Sequence, residues 1–282
     1  MSAPETLRLE RRDGVSVITF TRADEFNTIT PRLRDELSAA IDEADADEGT
    51  RVILLRAEGP AFCAGYGLDW STKMQADDSG SERVWDSVAD LRVISTFVDV
   101  YMKLWYAWKP TIAAVQGWCI AGGTDMVLCA DMIVAGEGAK FGYPPSRVWG
   151  TPTTAMWVYR LGLERAKRYL LTGDEIPAPE AARIGMILEA VPDESLQEHA
   201  FHLAARMAQL PTNQLVMLKM LCNQTAENMG LTSSRTLGSL FDGIARHTQE
   251  GLDFVDRAQE VGFRQAVRDR DDPFGDYGSR KG

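Results

Sequence analysis

The stretch Lys109 to Gly123, KPTIAAVQGWCIAGG, constrains the fold more than any other part of the chain. An apolar run from Thr111 to Val115 is followed by Gly117, a second pair of glycines stands at Gly122-Gly123, and the run Thr124 to Ala130 is compatible with a helix. The pattern predicts a buried strand, a tight turn and a helix start. Glycine takes positive φ and lets a backbone approach a ligand with no side chain in between. The first N–H groups of a helix are unpaired and carry partial positive charge. Such a turn suits an oxygen on which negative charge develops. A second glycine-bearing loop, AFCAGYG at Ala61 to Gly67, offers the other half of an oxyanion-binding pair.

Strands and helices alternate around this unit. Leu7 to Arg12 and Val15 to Phe20 read as strands flanking Asp13-Gly14, a strong hairpin dipeptide. Pro31 opens a helix after Thr30, with Leu33, Leu37, Ala40 and Ile41 at helical spacing. Val52 to Leu55, Met132 to Ala135 and Lys140 to Gly142 read as short strands, and Trp85 to Trp108 as an aromatic-rich helix. The segment Lys73 to Glu82 is polar and reads as a mobile loop. Past Thr153 the periodicity is helical over 153–172, 178–184, 195–209, 212–228 and 231–258, interrupted by a strand at Met186 to Val191. This order predicts an α/β core with a helical C-terminal part.

The 282 residues suffice for one large core. A net charge of −11 argues against a nucleic-acid partner. No apolar run approaches the ~20 residues of a membrane span. The cysteines, Cys63, Cys119, Cys129 and Cys222, show no C-x-x-C spacing and read as reduced thiols of a cytoplasmic protein.

Three segments in order, AFCAGYGLDW (Ala61 to Trp70), Lys109 to Pro144 and LTGDEIPAPEAARIGMILEAV (Leu171 to Val191), resemble the crotonase superfamily of enoyl-CoA hydratases and isomerases. The resemblance implies a spiral of stacked ββα turns, here residues 1–200, and a helical C-terminal region, 201–282, that drives assembly into trimers or dimers of trimers. It implies an acyl-CoA thioester as substrate and no separate cofactor, coenzyme A being part of the substrate. Carried over by position, the N–H groups of Tyr66 and Gly122 would hold the thioester oxygen. Ala64, Gly65, Gly67, Leu68 and Gly123 would flank it. The loop Arg22 to Asn27, with Glu25 and Phe26, and the helix residues Phe254 and Arg257 would meet the coenzyme end. Arg257 reads equally as a phosphate contact or a solvated helix arginine.

The carboxylates bear on which reaction follows. Hydratases of this family use two glutamates. The first position holds Asp125; the second, after Phe141-Gly142-Tyr143-Pro144, holds Pro145, and no Asp or Glu follows before Glu164. A concerted acid/base pair needs two titrating groups, whereas one carboxylate can move a proton between two carbons. The expectation is therefore an enzyme with Asp125 as its acid/base, an isomerase or a weak hydratase. The alternatives are another reaction of the superfamily, such as dienoyl isomerisation or thioester hydrolysis, a non-catalytic acyl-CoA-binding homologue, and a structural oligomer that docks a partner. Asp125 also reads as an ordinary first-turn helix acid. Trp118 and Trp149 read as acyl-pocket walls or as core. Cys63 and Cys119 lie beside the loops, as nucleophiles or as small buried residues. His199 and His202 have i, i+3 spacing but no third ligand, so no metal is expected.

Overall fold

The computed structural model describes residues 4–67 and 85–277, so Leu68 and the polar segment Lys73 to Glu82 lie outside the described residues. Asp13 and Gly14 both take positive φ, 53° and 76°, the requirement of a two-residue hairpin turn. They join β1 (Leu7–Arg12) to β2 (Val15–Phe20) in an antiparallel register pairing Arg12 with Val15. From β2 onward the large sheet is parallel, through β3 (Val52–Ala57), β5 (Thr111–Val115), β7 (Met132–Gly136) and β10 (Glu189–Val191). β2 and β5 are buried along their whole length, as strands covered on both faces must be.

The intervening strands leave for a second sheet, in which β4 (Ala61–Cys63), β6 (Trp118–Ile120) and β8 (Lys140–Gly142) run parallel and β9 (Ile176–Pro177) closes antiparallel. Each turn of chain thus gives one strand to each sheet and returns, in part through helices. These are the repeated ββα units that the resemblance implied.

Helix α1 (Pro31–Ala46) begins as expected, with Pro31 in its first turn and Thr30 accepting from Leu33 N–H at 3.1 Å. It buries Leu33, Leu37, Ala40, Ile41 and Ala44 on the main core. α2 (Ser87–Tyr106) starts at Asp86, whose carboxylate caps Val88 and Ala89. α3 (Gly122–Leu128) is buried throughout. The helical stretch expected over 153–172 divides at Gly162 (φ 73°) into α4 (Met156–Leu161) and α5 (Leu163–Leu170). After α6 (Ala178–Arg183), α7 (Leu196–Met207) lays Leu196, Ala200 and Ala204 on the outer face of the large sheet. Residue 200 lies within this helix, and α8 (Thr212–Asn228) follows it.

The single run expected over 231–258 is two helices, α9 (Leu231–Arg246) and α10 (Gln249–Val261). Thr248 caps the second by accepting from Gly251 N–H at 3.3 Å. Gly262 (φ 82°) then turns the chain into α11 (Phe263–Asp271), which packs back on α10.

Candidate active site

Two turns, one from each of two successive ββ units, meet at one wall of a cavity of about 310 Å³. The first follows β4. Gly65 takes φ 91°, and a Cβ built there would stand 3.2 Å from Ile120 O and 3.9 Å from Gly122 N. The second precedes α3, where Ala121 takes φ 53°, a conformation that costs a residue with a Cβ about 1–3 kcal/mol. The neighbouring bonds hold it there. Ala121 N–H donates to Gly142 O at 2.9 Å, and the Thr124 hydroxyl lies 2.5 Å from Cys119 O and 3.1 Å from Gly142 O. Gly122 is needed for close approach, because a Cβ would meet the Tyr66 ring at 2.8 Å and Ile29 at 2.9 Å.

The amides of these turns are oriented by the surrounding bonds. Ile29 bridges Tyr66 in parallel fashion through Gly65 O and Gly67 N–H, both at 2.8 Å. That pattern directs the N–H of Tyr66 away from Ile29. Gly122 N–H precedes the first bond of α3, Asp125 N–H to Ala121 O at 3.0 Å, so the helix ladder does not use it. Tyr66 accepts a bond from the Tyr101 hydroxyl at 3.1 Å, and burial raises both phenols well above their usual range. They stay protonated.

Ala64, Tyr66, Trp118, Gly122 and Trp149 line the cavity, so five residues singled out in the sequence come together. Gly123 does not face it; a Cβ there would lie 2.3 Å from Cys63 O, so this glycine serves packing of α3 on β4. Gly65 and Gly67 shape the turn through their backbone. Glu25 and Phe26 lie on an exposed loop tied to the first turn by Ala64 N–H donating to Phe26 O at 3.1 Å. Cys63 and Cys119 are fully buried, and burial pushes Cys63 up to about 12 and Cys119 well up, which makes them inert thiols. His199 faces Glu189 at 2.8 Å, and among the described residues no three metal-binding side chains gather.

At the expected coenzyme end Phe254 is enclosed, and Arg257 matches its reading as a solvated helix arginine. Phe254 is buried between Trp149 and Phe263, with ring centroids at 6.1 and 5.7 Å. Arg257 lies on the surface and pairs with Asp269 at 2.9 Å and Glu260 at 3.6 Å. The stretch after Arg257 forms α11 and folds onto both residues. The chain then runs to Tyr277. Arg147 anchors it from a buried position, with Asp271 at 3.0 Å, Asp276 twice at 2.7 Å and the Phe274 ring at 3.9 Å. Arg147 stands two residues past Pro145. The segment in which the resemblance would put a second acid here fastens the C-terminal chain.

Asp125 departs from the expected position. It does not line the cavity. Its carboxylate is enclosed and accepts from Thr153 N–H at 2.9 Å, the Thr153 hydroxyl at 3.1 Å and Trp157 Nε1 at 2.9 Å. Burial pushes its pKa up to about 7, against the lowering effect of those donors. The segment Thr151 to Trp157 stands between this acid and another that the sequence reading missed. Asp242 of α9 lines the cavity, with Thr151 N–H at 3.4 Å and Arg246 Nε at 3.5 Å. Burial pushes it up to about 6, opposed by Arg246. One sequence signal pointed to this face. Gly238, Ser239 and Gly243 form a stripe of small residues beside Asp242 on α9, and Cβ atoms at the two glycines would lie 2.5 Å from Pro152 O and 2.4 Å from Asp90 Oδ2.

Comparison with known proteins accords with this architecture. Residues 10–261 match the profile described as enoyl-CoA hydratase/isomerase. A probable enoyl-CoA hydratase of Rhizobium meliloti is 31% identical over 232 residues, 79% of this chain and 83% of that protein. A crystal structure of enoyl-CoA hydratase from Mycobacterium smegmatis superposes with a TM-score of 0.92 at 43% identity, covering 98% of this chain and 96% of that one. An enoyl-CoA hydratase/isomerase from Xanthobacter autotrophicus Py2 gives 0.87 at 27% identity, covering 96% and 99%. With the ββα spiral, the paired turns and a family match over most of its length, the chain belongs to the enoyl-CoA hydratase/isomerase family.

Proposed function

We propose that this protein transforms enoyl-CoA thioesters through an enolate held by the N–H groups of Tyr66 and Gly122. The observation that carries the reading is the meeting of these two turns at the wall of one largely apolar cavity. Donors pre-set where negative charge develops lower the barrier without reorganising during the reaction, often by about 3 kcal/mol each. Val93, Ile94, Phe97, Ile120 and Trp149 offer an apolar surface to the acyl chain. The loop Arg22 to Asn27, next in space to the first turn, is the place for the coenzyme end.

Proton transfer by a single carboxylate, as in moving a double bond, fits this site better than concerted hydration. Pro145 itself lines the cavity where a second acid would stand. Asp125, three times hydrogen-bonded behind the Thr153–Trp157 segment, is better suited to fastening the cavity wall than to exchanging protons with substrate. The exposed Met217, Met220 and Leu221 of α8 and Leu237, Phe241 and Ile244 of α9 fit a homo-oligomer, a trimer or dimer of trimers, built through the C-terminal helices.

Incubating the protein with 2-enoyl- and 3-enoyl-CoA esters in deuterated water, followed by mass analysis, tests the reading. Isomerisation incorporates deuterium without adding water, hydration adds water, and hydrolysis releases free thiol. Absence of turnover together with absence of acyl-CoA binding would overturn it.

A further inference from the structure

We infer that Asp242, contributed by α9 from outside the spiral core, is the carboxylate that exchanges a proton with the acyl chain bound at the Tyr66 and Gly122 amides. This rests on the acyl-CoA reading above and names the acid that reading requires.

The argument begins with which acids face the cavity. Among the described residues they are Asp242 and Asp271. Asp271 is bound on both oxygens, by Arg147 at 3.0 Å and by Arg270 at 2.9 and 2.6 Å, so a proton acceptor there would have to break charge-assisted bonds. Asp242 is held more loosely. Its nearest donors stand at 3.4 and 3.5 Å, beyond the range of a strong hydrogen bond. The arginine beside it is drawn the other way, because Arg246 Nη2 makes its close contact with Asp90 of α2 at 2.7 Å. Asp90 thereby limits how far Arg246 neutralises Asp242. The carboxylate is held in place yet left with accepting capacity toward the cavity.

The charged and titratable groups around Asp242 come from every neighbouring element. They are Arg246 on its own helix, Asp90 from α2, Asp125 from α3, the Tyr66 and Tyr143 phenols, and Arg270 and Asp271 of α11 in the same cavity wall. The enclosed setting and the nearby Asp90 oppose its ionisation, and Arg246 and the Thr151 amide favour it. That balance raises it to about 6, so that the group is ionised at neutral pH and able to take up a proton.

The step balances as follows. A C–H bond of the acyl chain conjugated to the thioester breaks, its proton goes to an Asp242 oxygen, and its electron pair enters the enolate at the two amides. The enolate's pair then forms a C–H bond at the other end of the allylic system with the proton that Asp242 gives back, the same one or one exchanged with solvent while the acid holds it. Asp242 returns to its carboxylate, and nothing is oxidised or reduced.

The test uses the full-length protein and an enoyl-CoA ester that it turns over. Asp242→Asn keeps shape and removes the base, and should lower kcat by about 10²- to 10⁴-fold while KM stays within a few-fold. Asp242→Glu should restore part of the rate. The acid limb of the wild-type kcat–pH profile should vanish in Asp242→Asn and persist in Asp90→Asn, displaced because Arg246 is then released toward Asp242. A merely structural ion pair would leave that limb unmoved, and thermal melting reports whether each variant is folded. If Asp242→Asn retains the wild-type rate and limb, or if the limb disappears in Asp125→Asn instead, the assignment of Asp242 is overturned while the acyl-CoA reading stands. If the wild-type protein neither binds nor turns over acyl-CoA, both fall.

Discussion

The two walls of the cavity are built by different physics. One is main chain. The turns after β4 and before α3 present amides whose positions follow from parallel strand pairing, Gly65 at positive φ and close packing at Gly122. The other is side chain. Helices α9 and α11 bring Asp242, Arg246, Arg270 and Asp271 to the cavity and are held there by buried ion pairs to Asp90 and Arg147. Rigid backbone suits donors that must not move as charge develops, whereas an acid needs an environment that tunes its protonation. On the proposal that Asp242 exchanges the proton, the contrast is between donors fixed by the main chain and an acid carried by a helix outside the spiral core.

The comparison can be broken most sharply at the backbone wall. Gly122→Ala forces a methyl into the Tyr66 ring and Ile29 and should displace the amide, lowering kcat/KM by about 10²- to 10³-fold with the melting temperature changed much less. Equal losses in both would mean that the glycine serves only packing. At the helical wall, Arg147→Ala leaves Asp271 enclosed and loses the paired bonds to Asp276. Denaturant titration should record a loss of about 3 kcal/mol, and limited proteolysis should cut first near the released C-terminal segment.

A smaller effect is expected between the walls. Thr153→Val removes one donor to Asp125 and keeps the Thr153 amide, costing about 1–2 kcal/mol. The pH dependence of stability tests the same acid. Its folded pKa, pushed up to about 7, lies above the ordinary carboxylate value of about 3.9. Its contribution is therefore fully present below the unfolded value and is lost as pH rises through about 7. The melting-temperature advantage of wild type over Asp125→Asn should shrink over that interval. Glu36 behaves oppositely. Despite burial, donors from Thr6, Arg32 and the backbone of Glu5 and Thr6 hold it down to about 2, so its contribution persists above the ordinary value and is lost as pH falls toward about 2. The smallest effect is expected at Arg257→Ala, with a melting temperature close to wild type for an exposed pair and less than about twofold change in acyl-CoA affinity by isothermal titration. A tenfold loss of affinity would restore the phosphate contact suggested by the sequence.

Much of the spiral core was legible because its signals are local. Asp13-Gly14, Thr30-Pro31 and the apolar run before Gly117 each satisfy a backbone requirement within a few residues. The helix boundaries at Gly162 and Thr248 were less visible, since helical periodicity continues across both. The acids were the least legible. Asp125 occupies the family position, yet nothing nearby in sequence announces that Thr153 and Trp157 will enclose it. Asp242 and Arg246, four apart on a helix, look like any solvated pair until Gly238 and Gly243 let the helix press against Pro152 and Asp90.

The sequence by itself determined the strand–turn–helix unit, the two glycine turns and the family, because turn geometry and hydrophobic period are written in neighbouring residues. Only the tertiary structure decided which carboxylates line the cavity and where the last C-terminal helix lies. Burial and proximity between distant segments set a side chain's protonation and reach, and neither is a local property of the chain.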